Sequence, residues 1–107
     1  MSAASAKRRP ELNAHATVFA ALGDETRLSL IGRLSSGPPQ SISRLAQGSR
    51  LTRQAITKHL RVLEGARLVG CARVGRESLF ELRPEPLKEI QSYLEQVSEQ
   101  WATRWRG

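Results

Sequence analysis

The sequence predicts a small, mainly helical domain that carries a single β-hairpin. Three observations lead to this prediction. Apolar residues recur every three or four positions through most of the chain, they alternate with polar residues between positions 69 and 82, and helical spacing returns beyond position 86. With 107 residues, of which 39% are hydrophobic, the chain can form one ordinary domain, for which we expect residues 10–107. The expected order is four helices, two strands and a final helix.

The first nine residues are small, polar and basic, and we expect them to form a disordered tail. Lys7, Arg8 and Arg9 could contact phosphates, although a solubilising role is the simpler expectation. No apolar segment typical of a signal peptide follows, and the longest strictly apolar run, residues 18–22, is too short to cross a bilayer. The single cysteine, Cys71, excludes an internal disulfide and is typical of a reducing cytoplasm, where we expect the protein.

Two helices are expected before position 40. Pro10 and Glu11 suit the first turn of the first helix, and Asp24 can cap the second. In the first helix, the residues that recur at helical spacing are Leu12, His15 or Ala16, Phe19 and Leu22. In the second, the buried stripe is predicted to be Leu28, Ile31 and Leu34. The second helix should end at residues 35–39 (SSGPP).

Residues 51–63 (LTRQAITKHLRVL) predict a helix with two contrasting faces. Thr52 is a suitable N-cap, and Leu51 and Ile56 stand at the positions of a hydrophobic staple. The apolar face comprises Ile56, Leu60 and Leu63. The opposite face comprises Gln54, Thr57, Lys58 and Arg61. One face can therefore pack on a core, while the other presents amide, hydroxyl, ammonium and guanidinium groups.

The segment before this helix changes what its polar face indicates. Alone, a polar face is as consistent with an ordinary solvated helix as with a helix that binds a partner. Here, however, residues 41–47 predict a short helix capped by Ser41, and residues 48–50 (GSR) predict a tight turn. A short helix, a turn with glycine and a capped basic helix form the helix-turn-helix arrangement, whose second helix enters the major groove of DNA. Arginine, lysine and glutamine are the side chains that read base edges there.

Residues 69–74 and 78–82 predict two strands joined by a three-residue turn, in which Gly75 supplies the unusual dihedral angles. Arg73 and Arg76 lie near the tip of this hairpin. A hairpin directly after a groove-reading helix is the wing of a winged helix, and arginines at its tip could contact the minor groove or phosphates. Exposed arginines on an exposed turn, without a partner, are the alternative.

Residues 84–86 (PEP) end the second strand and begin the last helix. Apolar residues then follow each other at coiled-coil spacing, and we call this set the seam: Leu87, Ile90, Leu94, Val97 and Trp101. Tyr93 and Trp105 lie beside it. So small a domain has little core left for such a seam, and we therefore predict a twofold dimer to which Leu12 and Phe19 of the first helix contribute. Packing within one chain is the alternative.

The chain is strongly basic. Its 17 Lys and Arg residues against 10 Asp and Glu residues give a net charge of +7 at pH 7 and an isoelectric point near 11.0. Excess positive charge favours a polyanionic partner, because neutralising phosphates releases their counterions. We therefore expect double-stranded DNA rather than a membrane as the partner.

Taken together, the pattern resembles the ArsR/SmtB family of bacterial winged-helix repressors over about positions 12 to 105. The resemblance is carried by residues 19–28 (FAALGDETRL), 43–46 (SRLA), 51–63 (LTRQAITKHLRVL), 68–69 (LV) and 75–76 (GR). It implies dimeric, operator-binding transcriptional repression, with the terminal helices forming the dimer. By position, the residues that match the family's groove-facing places are Thr52, Arg53, Gln54, Thr57 and Lys58.

The sequence departs from this family in two respects. Metal-sensing members carry Cys-x-Cys in the third helix or Asp and His on the last one, whereas this chain has residues 41–43 (SIS) and neither Asp nor His after Leu87. We therefore expect no metal and no other cofactor. The scattered candidates that remain for metal ligands are His15, His59 and Cys71. The family's usual glycine after the groove-reading helix is replaced by Arg67, which would be strained in a left-handed conformation.

The leading hypothesis is a sequence-specific transcriptional regulator, namely a homodimeric repressor that binds an imperfect palindrome with half-sites about 10 base pairs apart. Base or near-base contacts are expected from Arg53, Gln54, Thr57 and Lys58. Phosphate contacts are expected mainly from Arg50, Arg61, Arg73 and Arg76. An enzyme is not expected, because the chain has no glycine-rich phosphate loop, nucleophile elbow or zinc-protease helix.

Three alternatives remain open. Cys71 could act as a redox switch, although a cysteine on the same strand face as Val69 is expected to pack as a small hydrophobic residue. The protein could instead coat DNA without sequence preference, as architectural proteins do. A winged helix that binds protein is the third alternative, and the basic face of the groove-reading helix argues against it.

Overall fold

The computed structural model describes residues 10–106. In chain order, its elements are α1 (Pro10–Leu22), α2 (Glu25–Ser35), β1 (Gln40–Ser41), α3 (Ile42–Ala46), α4 (Arg53–Gly65), β2 (Val69–Val74), β3 (Glu77–Leu82) and α5 (Glu85–Arg106). The predicted order of helices and hairpin strands is confirmed, and one short strand, β1, is added to it. The expected basic tail at residues 1–9 lies outside the described residues.

Three helices begin at the capping residues that the sequence predicts. Asp24 caps α2 and Ser41 caps α3, and each side-chain oxygen accepts the backbone N–H three residues later at 3.1 Å. Thr52 caps α4 in the same way, also at 3.1 Å. Each bond satisfies one backbone donor that the first turn of a helix leaves free. The helix starts are therefore set by local chemistry.

The sheet has three antiparallel strands in the order β1-β3-β2. β2 pairs with β3 along its whole length, and Val74 lies opposite Glu77 at the tip. The turn between them therefore has two residues rather than the expected three. Only the first of these, Gly75, has a positive φ, of 62°. This combination is typical of the tight type II′ turn, whose twist matches that of the paired strands.

The short strand β1 attaches the hairpin to the helix-turn-helix unit. Gln40 lies opposite Phe80 and Ser41 opposite Leu79 in the antiparallel register. β1 continues directly into α3, so the outer edge of the hairpin is fixed to the first helix of that unit. Two residues show no alternation of apolar and polar side chains, and for that reason the sequence did not predict this strand.

One apolar core joins the helices and the hairpin. Its buried residues are Val18, Ala21, Leu30, Leu34, Leu45, Ile56, Leu60, Leu63, Ala66, Leu68, Val69, Phe80 and Ile90. Phe80 is the largest of the fully buried side chains. Every helix contributes to this core, and so do β2 and β3, which fixes α4 and the hairpin to the same packed body.

The predicted buried stripe of α2 is partly wrong. Leu28 is 54% exposed, and Leu30 takes its place in the core. On a helical wheel, Leu28 lies about 115 degrees from the centre of the buried side of α2, and it therefore faces away from the core. In α1 the buried residues are Val18 and Ala21, whereas Phe19 lies on the exposed side.

Arg67 adopts the left-handed conformation expected at the end of α4. Its φ is 63°, and it is the one non-glycine residue with a positive φ among residues 10–106. An arginine there replaces the glycine that relieves such strain in many helix ends.

Candidate nucleic-acid interface

The helix α4 has one buried face and one exposed face. Ile56, Leu60 and Leu63 are buried in the core, and Leu51 packs against it from the turn before the helix. The opposite face carries exposed polar and basic side chains. We call these residues, with their exposed neighbour in the preceding turn, the reading surface: Arg50, Arg53, Gln54, Lys58 and Arg61. Apolar packing on one side therefore holds the basic side toward solvent.

The turn before α4 and its N-cap shape the start of the reading surface. Gly48 has a positive φ of 74°, which allows the chain to reverse between α3 and α4. The hydroxyl of Ser49 accepts the backbone N–H of Leu51 at 3.0 Å and stabilises this turn. Arg50 is exposed between them. The cap uses an acceptor position of Thr52, so its hydroxyl proton stays available to a phosphate.

Thr57 differs from its neighbours on the predicted groove-facing side. Its side chain is half-buried, and its Oγ1 donates to the backbone carbonyl of Arg53 at 2.8 Å. The hydroxyl proton is thus used within the helix, as is common for threonine inside helices. Thr57 can still accept a hydrogen bond, but it offers less to a base than Gln54 or Lys58.

Arg61 is held by an ion pair that the sequence analysis did not include. Its Nη1 donates to Glu64 Oε1 at 2.8 Å, one helical turn away. Arg61 is exposed to solvent and Glu64 is partly exposed, and a pair in such surroundings contributes about 0.3 to 0.5 kcal/mol. A phosphate can therefore replace Glu64 as the partner of Arg61 at little cost.

The two arginines predicted for the wing lie where they were expected. Arg73 is on β2 and Arg76 is in the turn, and both side chains are exposed. Val74 is exposed between them, so the tip of the hairpin extends beyond the core. The hairpin is fixed at its base by Val69 and Phe80, which are buried. The buried base holds the hairpin in place, and the two arginines at its tip carry positive charge.

The seam on α5 divides into a buried part and an exposed part. Ile90 is only 6% exposed and belongs to the core of its own chain, and Leu87 packs against that core. The premise that the domain has little core left for the seam is therefore wrong for its first turns. Beyond them the core ends: Leu94 is 49% exposed, Val97 44% and Trp101 59%.

Other large apolar side chains extend the exposed part of the seam. Trp105 is exposed, and its ring meets that of Trp101 edge-on, with centroids 5.6 Å apart. Phe19 is exposed on α1, whereas Leu12 is half-buried. α1 packs on α5, and the rings of His15 and Tyr93 lie 5.2 Å apart across that contact. The terminal helices thus present an exposed apolar surface.

The three candidate metal ligands lie in separate places. His15 packs on Tyr93, and His59 lies beside Arg27 on α2. Within residues 10–106, no group of three or more His, Cys, Asp and Glu side chains is arranged to hold a metal ion. Cys71 is exposed, so the expectation that it packs as a small hydrophobic residue is wrong. The reason is that β2 leaves the core after Gly70, and its remaining residues extend into solvent.

The contact between Arg27 and His59 is the part of the site that sequence reasoning missed. Arg27 Nη1 lies 3.1 Å from His59 Nδ1. The two residues are 32 positions apart, so no local spacing signals the contact. The only sequence signal is the position of Arg27 in the first turn of a helix. A basic side chain there is unfavourable for the helix dipole, so its presence indicates a favourable contact elsewhere in the fold.

Known proteins match this fold and this sequence. A model of a helix-turn-helix domain matches residues 22–70, from the end of α1 into β2. The uncharacterized helix-turn-helix-type transcriptional regulator YuzN of Bacillus subtilis is 38% identical, over 68% of this chain and 86% of that protein. A helix-turn-helix-type transcriptional regulator of Mycobacterium tuberculosis is 35% identical, over 70% of this chain and 69% of that protein.

Solved structures of transcriptional regulators also superpose on this fold. An ArsR-like transcriptional regulator from Rhodococcus sp. RHA1 superposes with a TM-score of 0.79 and 36% identity, over 90% of both chains. A homodimeric winged helix-turn-helix DNA-binding domain from Mycobacterium bovis superposes with a TM-score of 0.69 over 97% of this chain and 93% of that one. At 19% identity, the second likeness shows the fold alone.

The fold and the exposed basic helix define a winged helix-turn-helix transcriptional regulator. The chain belongs to the ArsR family of such regulators. It carries a helix-turn-helix DNA-binding domain and is not an enzyme. None of the helices described between residues 10 and 106 has the length and apolar character needed to cross a membrane.

Proposed function

We propose that this protein is a homodimeric repressor that binds an imperfect palindromic operator and senses no metal. The observation that carries the proposal is the division of α4, whose apolar face is completely buried while Arg53, Gln54 and Lys58 are exposed on the other. A helix anchored in this way can enter a major groove without unfolding any part of its own domain.

Within the groove, Arg53, Gln54 and Lys58 supply the base contacts. Arginine and lysine donate to guanine, and glutamine pairs with adenine through both of its amide atoms. Arg50 at the entrance of the helix and Arg61 near its end contact the phosphates on either side. Thr52 donates its hydroxyl proton to a phosphate while it caps the helix, and Thr57 has a lesser role, since its proton is used by the carbonyl of Arg53.

The wing adds contacts that do not depend on base sequence. Arg73 and Arg76 extend from a rigid hairpin and hold the phosphates or the minor groove beside the site. Because such contacts release counterions, they strengthen binding to every duplex alike and weaken as the salt concentration rises.

Dimerisation occurs through the exposed end of the seam together with α1. Phe19, Leu94, Val97 and Trp101 are large apolar side chains that a monomer would leave in water. The structural neighbour from Mycobacterium bovis is homodimeric, which supports the same assembly here. Two recognition helices related by a twofold axis read two half-sites of opposite orientation, about one turn of duplex apart.

The decisive experiment is to sequence the DNA fragments that the purified protein selects from a random library. An imperfect palindrome with half-sites about 10 base pairs apart is the expected result. Affinities for that duplex and for a random duplex are then compared at one salt concentration. A ratio near one would favour an architectural protein that coats DNA without preference. Increased transcription from the selected operator in the presence of the protein would contradict repression.

A redox-responsive repressor is the second candidate, and the exposure of Cys71 favours it. A switch needs a thiol that oxidants can reach, and Cys71 on β2 meets this condition. Peroxide treatment should then release the operator from the wild-type protein but not from Cys71→Ser. Equal affinity before and after treatment would remove this candidate and leave the repressor assignment unaffected.

A further inference from the structure

Arg27 lies where three helices meet, and its side chain contacts two of them. Its Nε donates to the carbonyl oxygen of Ala21 at 2.5 Å, and its Nη2 to that of Ala20 at 3.4 Å. Its Nη1 lies 3.1 Å from Nδ1 of His59, in the middle of α4. A single guanidinium on α2 therefore connects the end of α1 to the recognition helix.

The contacts to α1 have a clear chemical origin. The last carbonyl groups of a helix have no partner within it, and a positively charged donor at that end is favourable. The guanidinium supplies charge-assisted hydrogen bonds to these carbonyls, and its planar shape fixes their directions. Arg27 is further held by its own backbone, whose N–H donates to Asp24 Oδ2 at 3.1 Å. The guanidinium is thus a fixed donor rather than a mobile charge.

The contact to α4 requires one particular tautomer of the His59 ring. A guanidinium can only donate hydrogen bonds, so Nδ1 of His59 must accept, and the ring proton must be on Nε2. Asp24 Oδ2 is 3.9 Å from the same nitrogen, which is too far for a hydrogen bond. The half-buried imidazole therefore has Arg27 as the partner of its Nδ1.

This bond adds a directional constraint to the apolar packing of α4. Packing of Ile56, Leu60 and Leu63 holds the helix against the core through many contacts that are individually weak and non-directional. A hydrogen bond is directional and weakens with small changes of angle and distance. With a helix radius of about 5 to 6 Å, a rotation of about 10 degrees moves the side-chain ends by about 1 Å. That shift is enough to break contacts from Gln54 or Lys58 to base edges.

We propose that Arg27 is a positioning residue for DNA reading, which sets the rotation of α4 through its hydrogen bond to His59. The inference rests on the proposed function, because it assigns the consequence of this contact to operator recognition. Arg27 also holds the end of α1, the helix that carries Phe19 of the proposed dimer surface. The same side chain therefore connects the dimer surface with the reading surface.

The test compares two substitutions of His59 that have similar size and branching, of which only one keeps a hydrogen-bond acceptor. His59→Asn places a carbonyl oxygen near the position of Nδ1 and keeps an acceptor, whereas His59→Leu removes the acceptor and keeps an apolar side chain. We expect His59→Leu to lower operator affinity about tenfold and random-duplex affinity less than about twofold, and His59→Asn to stay within about twofold of wild type for both. An unchanged operator affinity for His59→Leu, or an equal loss for both duplexes, would overturn the proposal.

A double-substitution cycle shows whether Arg27 acts through His59. Arg27→Met should also lower operator affinity about tenfold, and the double variant Arg27→Met with His59→Leu should lose no more than Arg27→Met alone. Additive losses would mean that the two residues act independently. If Arg27→Met fails to fold, the pair of His59 variants decides the question, because both keep Arg27 as the donor to the end of α1.

A measurement without DNA separates this proposal from the proposed function. The ring-nitrogen NMR signals of His59 in the wild-type protein should show an unprotonated Nδ1, and the Nδ1 signal should move in Arg27→Met. A protonated Nδ1 in the wild type would overturn the contact itself. If the wild type prefers no duplex, the proposed function and the role in DNA reading fail together, while the ring-nitrogen signals still decide whether the contact exists. If the wild type prefers its operator and the His59 variants do not differ, only the positioning role fails.

Discussion

The backbone N–H of Leu68 donates to the carbonyl oxygen of Leu63 at 3.0 Å and closes the C-terminal end of the recognition helix. Inside this closure, the N–H of Arg67 donates to the carbonyl of Glu64 at 2.9 Å. These two bonds form the Schellman motif, which requires a left-handed residue between helix and strand. Both leucines are buried, so the motif also directs the chain from α4 into β2.

Arg67→Gly should raise the stability of the protein, because glycine adopts the left-handed conformation without steric strain. We expect an increase of about 0.5 to 1 kcal/mol in the free energy of unfolding, and a melting temperature higher by a few degrees. Thermal unfolding at one fixed protein concentration measures the change. Arg67→Ala is the matched control and should give no gain, since alanine keeps the Cβ that causes the strain. A melting temperature lower by several degrees in Arg67→Gly would mean that the arginine side chain makes a contact the protein needs.

Substitutions on the reading surface and on the wing should affect DNA binding differently. Gln54→Ala and Lys58→Ala should each cost about 1 to 3 kcal/mol of operator affinity and reduce discrimination against altered bases. Arg73→Ala should weaken binding to operator and random duplex by the same factor, because a phosphate contact carries no sequence information.

Titrations of both duplexes at one salt concentration distinguish these effects. Lys88→Ala removes a positive charge from an exposed position on α5 and serves as the control for the change in net charge. If Gln54→Ala and Lys58→Ala leave operator affinity at the wild-type value, α4 does not read the groove.

Leu94→Glu should separate the proposed dimer, because it places a charge in the exposed part of the seam. We expect a monomer in sedimentation at micromolar concentration, and at least tenfold weaker operator binding, since only one half-site can then be held at a time. Leu28→Glu is the control, because Leu28 is similarly exposed but lies on α2 and is not part of the proposed dimer surface. A wild-type protein that sediments as a monomer would refute the dimer itself.

The carboxylate of Asp24 should make stability depend on pH in the acidic range. The backbone hydrogen bond from Arg27 holds the pKa of Asp24 below its ordinary value, and the positive charge of Arg27 acts in the same direction. Since the pKa is lower in the folded state, the stabilisation is complete above the unfolded pKa and is lost as the pH falls through the folded one.

Asp24→Asn provides the comparison, because asparagine caps helices as well as aspartate but does not titrate. The difference in unfolding free energy between wild type and variant should be larger at about pH 6 than at about pH 3. Denaturant unfolding at both pH values measures it. If wild type and variant differ in unfolding free energy by the same amount at both pH values, the charge of Asp24 contributes nothing to stability.

The sequence by itself determined the parts of this protein that depend on neighbouring residues. Asp24, Ser41 and Thr52 cap the three helices that they were predicted to cap, because a cap needs only a suitable side chain three residues before a free N–H. The hairpin strands and the positive φ of Gly75 follow from alternation and from turn chemistry, which are also local. The two faces of α4 follow from helical periodicity.

Only the tertiary structure decided which part of each pattern meets the core. The seam is one continuous pattern, yet Ile90 is buried and Leu94 is exposed, because the body of the domain ends between them. Cys71 is exposed for the same reason, since β2 extends past the core. The pairing of β1 with β3 and the contact of Arg27 with His59 join residues far apart in the chain. Such contacts depend on how all the elements pack together, and no periodicity within a single element encodes them.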